Sequence, residues 1–172
     1  MAVVFKEVAI SERDLHVVGM GEIFVTDSPT AVLSCFGLGS CVAVCAYDNQ
    51  EKFGGMAHIV LPQNNNLPGN NPAKFADTAV PLLLDEMIKR GGVKNRIIIK
   101  IAGGAQMTLA PGLRDTFKTG ERNLAQIYLV LQRENIALAA ADTGGNLGRT
   151  VKMYIGTGRV TVKTAYGVAQ EI

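Results

Sequence analysis

Two neighbouring stretches in the first half of the chain carry almost no polar side chains. Cys41-Val42-Ala43-Val44-Cys45-Ala46-Tyr47 is one, and Phe53-Gly54-Gly55-Met56-Ala57-His58-Ile59-Val60-Leu61 is the other. Short, β-branched apolar runs of this kind predict a pair of buried strands. Asp48-Asn49-Gln50-Glu51-Lys52 separates them and has turn chemistry. With Asn49-Gln50 as a two-residue loop, Asp48 faces Glu51 and Cys41 falls directly opposite His58. Opposed residues on an antiparallel pair hold their Cβ atoms roughly 4.5–5.5 Å apart, so a thiol and an imidazole could share a proton. A slip of one residue would send the two to opposite faces.

Elsewhere the pattern alternates between short strands and two helices. Strand candidates lie at 16–18, 22–26 and 31–35, punctuated by Gly19, Gly21 and Ser28-Pro29. From Pro62 to Pro72 the chain has no apolar pattern and reads as a lid beside His58 or as a connector. Residues 73–90 carry Phe75, Ala79, Leu82, Leu83, Met87 and Ile88 at helical spacing, with Pro81 predicting a kink or a restart. A strand over 96–102 closes at Gly103-Gly104. A second helix spans about 120–135, with Leu124, Ile127, Tyr128 and Leu131 on its apolar face. A strand over 136–141 leads into Asp142-Thr143-Gly144-Gly145-Asn146, and a hairpin pairs 149–155 with 159–165. Antiparallel hairpins with two well-separated helices predict an α+β fold.

At 172 residues and 48% hydrophobic, the chain suits one domain over 1–172, with 1–14 as a leader. Acidic residues enter that leader too early for a signal peptide. No apolar run approaches a membrane span. A net charge of +2, without a basic run, gives no footprint for nucleic acid. Cys35, Cys41 and Cys45, without an export signal, read as reduced thiols in a cytoplasm. Strand geometry separates Cys41 from Cys45 by roughly 13 Å, and no nearby histidine or carboxylate completes a metal site.

Cys41 therefore carries two readings. A cysteine in an apolar strand is commonly a small buried hydrophobe. Against that, Gly37, Gly39 and Ser40 precede it, allowing close backbone approach and N–H groups that face a ligand. Backbone N–H groups of Gly39, Ser40 and Cys41 are then the candidate oxyanion donors. Gly103, Gly104, Asp142, Thr143 and Asn146 are candidate pocket-lining residues, or simply tight turns. Neither glycine cluster fits a phosphate loop. His16 has no sequence neighbour that suggests chemistry.

Five ordered motifs carry a family resemblance. They are Leu38-Gly39-Ser40-Cys41-Val42-Ala43-Val44, Met56-Ala57-His58-Ile59-Val60-Leu61-Pro62, Lys74-Phe75-Ala76-Asp77-Thr78-Ala79, Lys100-Ile101-Ala102-Gly103-Gly104-Ala105 and Asp142-Thr143-Gly144-Gly145-Asn146. Together, from about Val18 to Val162, the chain resembles the chemoreceptor glutamine deamidases of the CheD family. The resemblance implies hydrolysis of glutamine side chains, and of glutamyl methyl esters, on the cytoplasmic helical region of chemotaxis receptors. It implies a β-sandwich of mostly antiparallel strands flanked by two main helices, like the catalytic domain of the cytotoxic necrotizing factor toxins. It also implies Cys41 as nucleophile, His58 as base and no metal or organic cofactor. The family's histidine is oriented by a threonine six residues before the cysteine, where this chain has Cys35. A thiol hydrogen-bonds more weakly than a hydroxyl, so either Cys35 takes that role or a backbone carbonyl does. Two alternatives stand beside this: a module whose main task is docking a CheC-type chemotaxis phosphatase, and another cysteine amidase or protease.

Overall fold

Every residue of β4 (Val42–Asp48) and β5 (Phe53–Ile59) is buried, because these strands lie in the middle layer of three. The computed structural model describes residues 14–66, 68–107 and 117–172, so the expected leader lies outside the described residues up to 13. The remaining strands are β1 (Leu15–Val17), β2 (Ile23–Thr26), β3 (Val32–Leu38), β6 (Ile97–Gly103), β7 (Leu138–Thr143), β8 (Arg149–Tyr154), β9 (Arg159–Thr164) and β10 (Gln170–Glu171). Among the described residues the α-helices are α1 (Ala76–Lys89) and α2 (Thr119–Arg133).

One sheet has the order β1-β3-β8-β9-β10 and the other β2-β5-β4-β6-β7. All pairings are antiparallel except β1 with β3 and β6 with β7. Between the sheets, Leu33, Cys35, Val151 and Met153 pack with Ala43, Cys45, Met56 and Ala102. On the far side of the second sheet, Val42, Val44, Ala57 and Ile101 pack with Leu83, Met87, Ile127 and Leu131 of the two helices. The fold is α+β, a sandwich whose helices both cover one sheet. A strand covered on both faces reads as a continuous apolar run, whereas β8 alternates because its outer face meets solvent.

The hairpin differs from the expected register. Asp48 pairs with Phe53, Ala43 with His58 and Val42 with Ile59, so the loop is the four residues 49–52. Asp48 causes the difference. Its carboxylate accepts from the Gln50 and Glu51 N–H groups at 3.0 and 3.2 Å. Its carbonyl accepts from Lys52 N–H at 2.9 Å, with Lys52 in the left-handed region at φ 57°. Cys41 is thus not directly opposite His58 but two positions away along the ladder. Because side chains alternate with period two, a shift of two keeps the face.

Three further differences are local. β3 continues past Cys35 to Leu38 through a bulge. Helix α1 begins after a separate 3-10 turn at Pro72–Lys74 and runs through Pro81 without a break. The segment from Pro62 is tied down: the Asn64 N–H donates to the Asp77 carboxylate at 2.9 Å, and Asn71 Nδ2 to the Gly21 carbonyl at 2.9 Å. No described helix is long and apolar enough to cross a membrane.

Candidate active site

Gly39-Ser40-Cys41 is where the chain leaves one sheet and enters the other, since β3 and β4 belong to different sheets. The bulge before it, with Gly37 at φ +63°, turns the backbone toward that crossing. Each carbonyl of the crossing is then anchored. Gly39 C=O accepts from Ala105 N–H at 2.8 Å, and Cys41 C=O from Gly104 N–H at 2.8 Å. Ser40 C=O accepts from Asn123 Nδ2 at 2.9 Å. In a trans peptide the N–H points opposite to the preceding carbonyl. The Ser40 and Cys41 N–H groups therefore point away from their anchors, as donors to an oxyanion must.

Gly103 and Gly104 form the bed beneath Cys41. A Cβ on Gly103, at φ +122°, would collide with the Cys41 carbonyl oxygen. Both glycines are buried, and the Gly104 N–H is already committed to Cys41. They support the backbone of Cys41.

His58 comes from β5 and is only 6% exposed. Its backbone is pinned to the turn before β2: His58 N–H donates to Glu22 C=O at 3.0 Å, and Gly21 N–H to His58 C=O at 3.0 Å. The ring Nδ1 lies 3.0 Å from the Val18 carbonyl oxygen. A carbonyl only accepts, so Nδ1 is the donor, which in the neutral ring leaves the Nε2 lone pair as an acceptor. Val18 sits at the second crossing between the sheets, from β1 to β2. The imidazole lies on the inter-sheet face beside Ala43 and Met56, and Cys41 packs against that same cluster. Cys41 and His58 are thus diagonal neighbours one step beyond Ala43. Such neighbours lie roughly 7–8 Å apart between Cα atoms, within reach of long side chains.

Among the described residues, the hydrogen bond of the His58 ring goes to this carbonyl and not to Cys35. Cys35 Sγ approaches the same Val18 oxygen at 3.5 Å and Met56 Sδ at 3.4 Å, so it touches the histidine's partner, not the histidine. The three thiols differ in environment. Burial pushes Cys35 far up, helped by the neighbouring Cys45, Cys41 and Glu22, and pushes Cys45 up to about 12 against the pull of Lys100. Cys41 alone is half-buried. Burial raises its pKa too, which favours the neutral thiol.

The strand end at 142–146 lies in line with the crossing: Val42 pairs with Gly103, and Gly103 with Thr143. Asp142 is taken up by an ion pair with the buried Arg149 at 2.9 Å, while Asn146 is exposed. His16 stacks on Phe24 and meets the Glu22 carboxylate at 3.2 Å. Among the described residues, no cluster of three or more His, Cys, Asp or Glu side chains could hold a metal ion. Asn123 escaped the sequence reading. Its signal was there: a fully buried polar residue on the same stripe as Ile127, Val130 and Leu131 of α2.

Comparison with known proteins gives the lineage. Residues 60–164 match the family model for CheD chemotactic sensory transduction, beginning two residues after His58. Three curated relatives, each named a probable chemoreceptor glutamine deamidase CheD, extend the match across the crossing and the hairpin. The protein of Desulfitobacterium hafniense is 45% identical over 86% of this chain and 91% of its own. That of Symbiobacterium thermophilum is 41% identical over 90% and 95%. That of Methanococcus maripaludis is 39% identical over 85% and 92%. A solved structure, the Bacillus licheniformis hypothetical protein YfiH, superposes with a TM-score of 0.43 at 17% identity, over 83% of this chain and 63% of that one. On the family match and these identities, the chain belongs to the CheD family.

Proposed function

We propose that this protein is a chemoreceptor glutamine deamidase that works through a Cys41 thiol and a His58 imidazole. The observation that carries the reading is the bond from His58 Nδ1–H to the Val18 carbonyl, which leaves Nε2 as an acceptor on the face that Cys41 shares. Kinship with proteins named as deamidases supplies the substrate class.

The steps balance as follows. His58 Nε2 takes the Cys41 proton as Sγ bonds to the glutamine side-chain carbonyl carbon. The carbonyl oxygen becomes an oxyanion, held by the Ser40 and Cys41 N–H groups. His58 returns the proton to the nitrogen, the C–N bond breaks, and ammonia leaves a thioester. Water, deprotonated by His58, attacks that thioester and releases glutamate with the Cys41 thiol restored. A glutamyl methyl ester would form the same thioester with methanol leaving. The raised thiol pKa fits this sequence, because proton removal is then coupled to attack.

The test is direct. A purified chemoreceptor cytoplasmic fragment is incubated with the protein, and tryptic peptides are searched for the one-dalton gain of Gln to Glu. Conversion by the wild type and none by Cys41→Ala is the expected result. Conversion by Cys41→Ala at the wild-type rate removes the nucleophile, and no conversion by either removes the activity.

A further inference from the structure

We propose that Asn123 is a positioning residue of the site, setting the direction of the Cys41 N–H that receives the oxyanion. The proposal rests on the reading of Cys41 as nucleophile. The β4–β5 ladder ends at Val42 opposite Ile59. One step further, Cys41 would face Val60, and there the ladder gives way to a side chain. The Asn123 carboxamide spans the gap, its two N–H bonds going to Ser40 C=O at 2.9 Å and Val60 C=O at 3.0 Å. Ser40 immediately precedes the nucleophile, and Val60 lies two residues beyond His58. A single amide group thus ties the backbone of both candidate catalytic residues together.

Holding the Ser40 carbonyl fixes the plane of the Ser40–Cys41 peptide, and with it the direction of the Cys41 N–H. The helix that carries Asn123 is itself seated on the crossing's other anchor. Gly120, one turn earlier, lies so close that a Cβ there would meet the Gly104 and Ala105 carbonyl oxygens at 2.6 and 2.7 Å. Asn123 Oδ1 is buried without a hydrogen-bond partner among the described residues. The amide is therefore held through its donors alone. An apolar residue of the same size would meet the needs of packing better, so the two donated bonds explain why an amide stands here.

Asn123→Leu removes both donors while keeping the same branched heavy-atom skeleton. Its melting temperature, kcat and KM on a chemoreceptor cytoplasmic fragment, and its rate of Cys41 alkylation by iodoacetamide are compared with wild type. Alkylation forms no oxyanion, so it separates donor geometry from nucleophile exposure. We expect kcat to fall by about 10²-fold, the loss typical of one oxyanion donor, with KM and alkylation within about threefold. An unchanged kcat, or alkylation falling in parallel with kcat, overturns the proposal. Asn123→Asp gives an independent reading. Its protonated acid can donate one of the two bonds and its carboxylate none, so its kcat deficit should widen as pH rises from 5 to 8. A deficit flat in pH overturns the assignment, as does failure of both variants to fold, which would make Asn123 part of the scaffold alone. Full activity in Cys41→Ala would remove the underlying site; full activity in Asn123→Leu beside an inactive Cys41→Ala would remove only the positioning role.

Discussion

Val18 and His58 are joined by a 3.0 Å contact between the backbone carbonyl oxygen of the first and ring Nδ1 of the second. The Cys35 thiol reaches that same oxygen at 3.5 Å. A backbone acceptor is not removed by changing a side chain, so the base should survive substitution at position 35. Because a thiol is a weak donor, Cys35→Val should keep kcat within about threefold of wild type. Steady-state deamidation normalised to folded protein checks this. A loss beyond tenfold would return the orienting role to the Cys35 side chain.

Cys41 and His58 should behave as one unit. Cys41→Ala and His58→Ala should each abolish deamidation, and the double variant should be no worse than either single one. Both should still melt cooperatively. The measurement is single-turnover conversion of receptor glutamine. A double variant whose loss equals the product of the single losses would mean that the two side chains act in separate steps.

The thiol environment predicts a pH dependence. Burial raises the Cys41 pKa above the ordinary thiol value of about 8.5. Iodoacetamide labelling of Cys41 in the folded protein should therefore keep accelerating above that pH. The stability consequence has a definite sign. A thiol whose pKa is raised on folding contributes stability that is intact below the unfolded value. That stability is lost as pH rises toward the folded one. With Cys35 and Cys45 shifted the same way, chemical denaturation midpoints should fall progressively above about pH 8.5. Labelling that saturates near pH 7 would show a pre-ionised Cys41 instead.

Much of this site was written in local pattern. The run from Val42 to Tyr47 announces a strand buried on both faces, and Gly39-Ser40 before Cys41 announces a close backbone approach. The register was not legible, because it depends on Asp48. Its carboxylate is fully buried and accepts from Gln50 and Glu51 N–H. It also accepts from Val93 N–H at 3.3 Å and from Arg96 Nε and Nη2 at 3.1 and 2.9 Å. Partners 45 and 48 residues away decide that turn, and no window around it contains them. The Val18 carbonyl was equally invisible, since a backbone group leaves no mark on residue type. Asn123 did leave one, as an amide on an apolar helical stripe.

Asp48 therefore governs stability and, through the hairpin register, the site. Burial alone would raise its pKa, but the Glu51 N–H, Arg96, Val93 N–H and Gln50 N–H together hold it below the usual carboxylate value. Asp48→Ala leaves three N–H groups without their acceptor and reduces Arg96 to its contacts with Glu51 and Gln50. It should cost about 1–3 kcal/mol, the loss typical of buried donors left unsatisfied. A depressed carboxylate contributes stability that is present above the unfolded pKa of about 3.9 and is lost as pH falls through the folded value. The stability gap between wild type and Asp48→Asn should therefore narrow below about pH 4. Urea midpoints from pH 7 to pH 3 check the sign. A gap that widens on acidification would contradict it.

Gly103 separates stability from activity. An added Cβ there would meet the Cys41 carbonyl, a backbone atom that can yield only by moving Cys41. Gly91 is the control: its φ of +98° is also left-handed, but nothing lies within 4 Å of an added Cβ. Gly91→Ala should lose about 1–2 kcal/mol from backbone strain and keep its kcat. Gly103→Ala should lose stability as well, and in addition lose about 10²-fold in kcat, as a displacement near 1 Å at a reacting group can. Urea denaturation with receptor deamidation assays on both variants distinguishes strain from displacement. If Gly103→Ala folds and turns over like Gly91→Ala, the glycine bed does not set the position of Cys41.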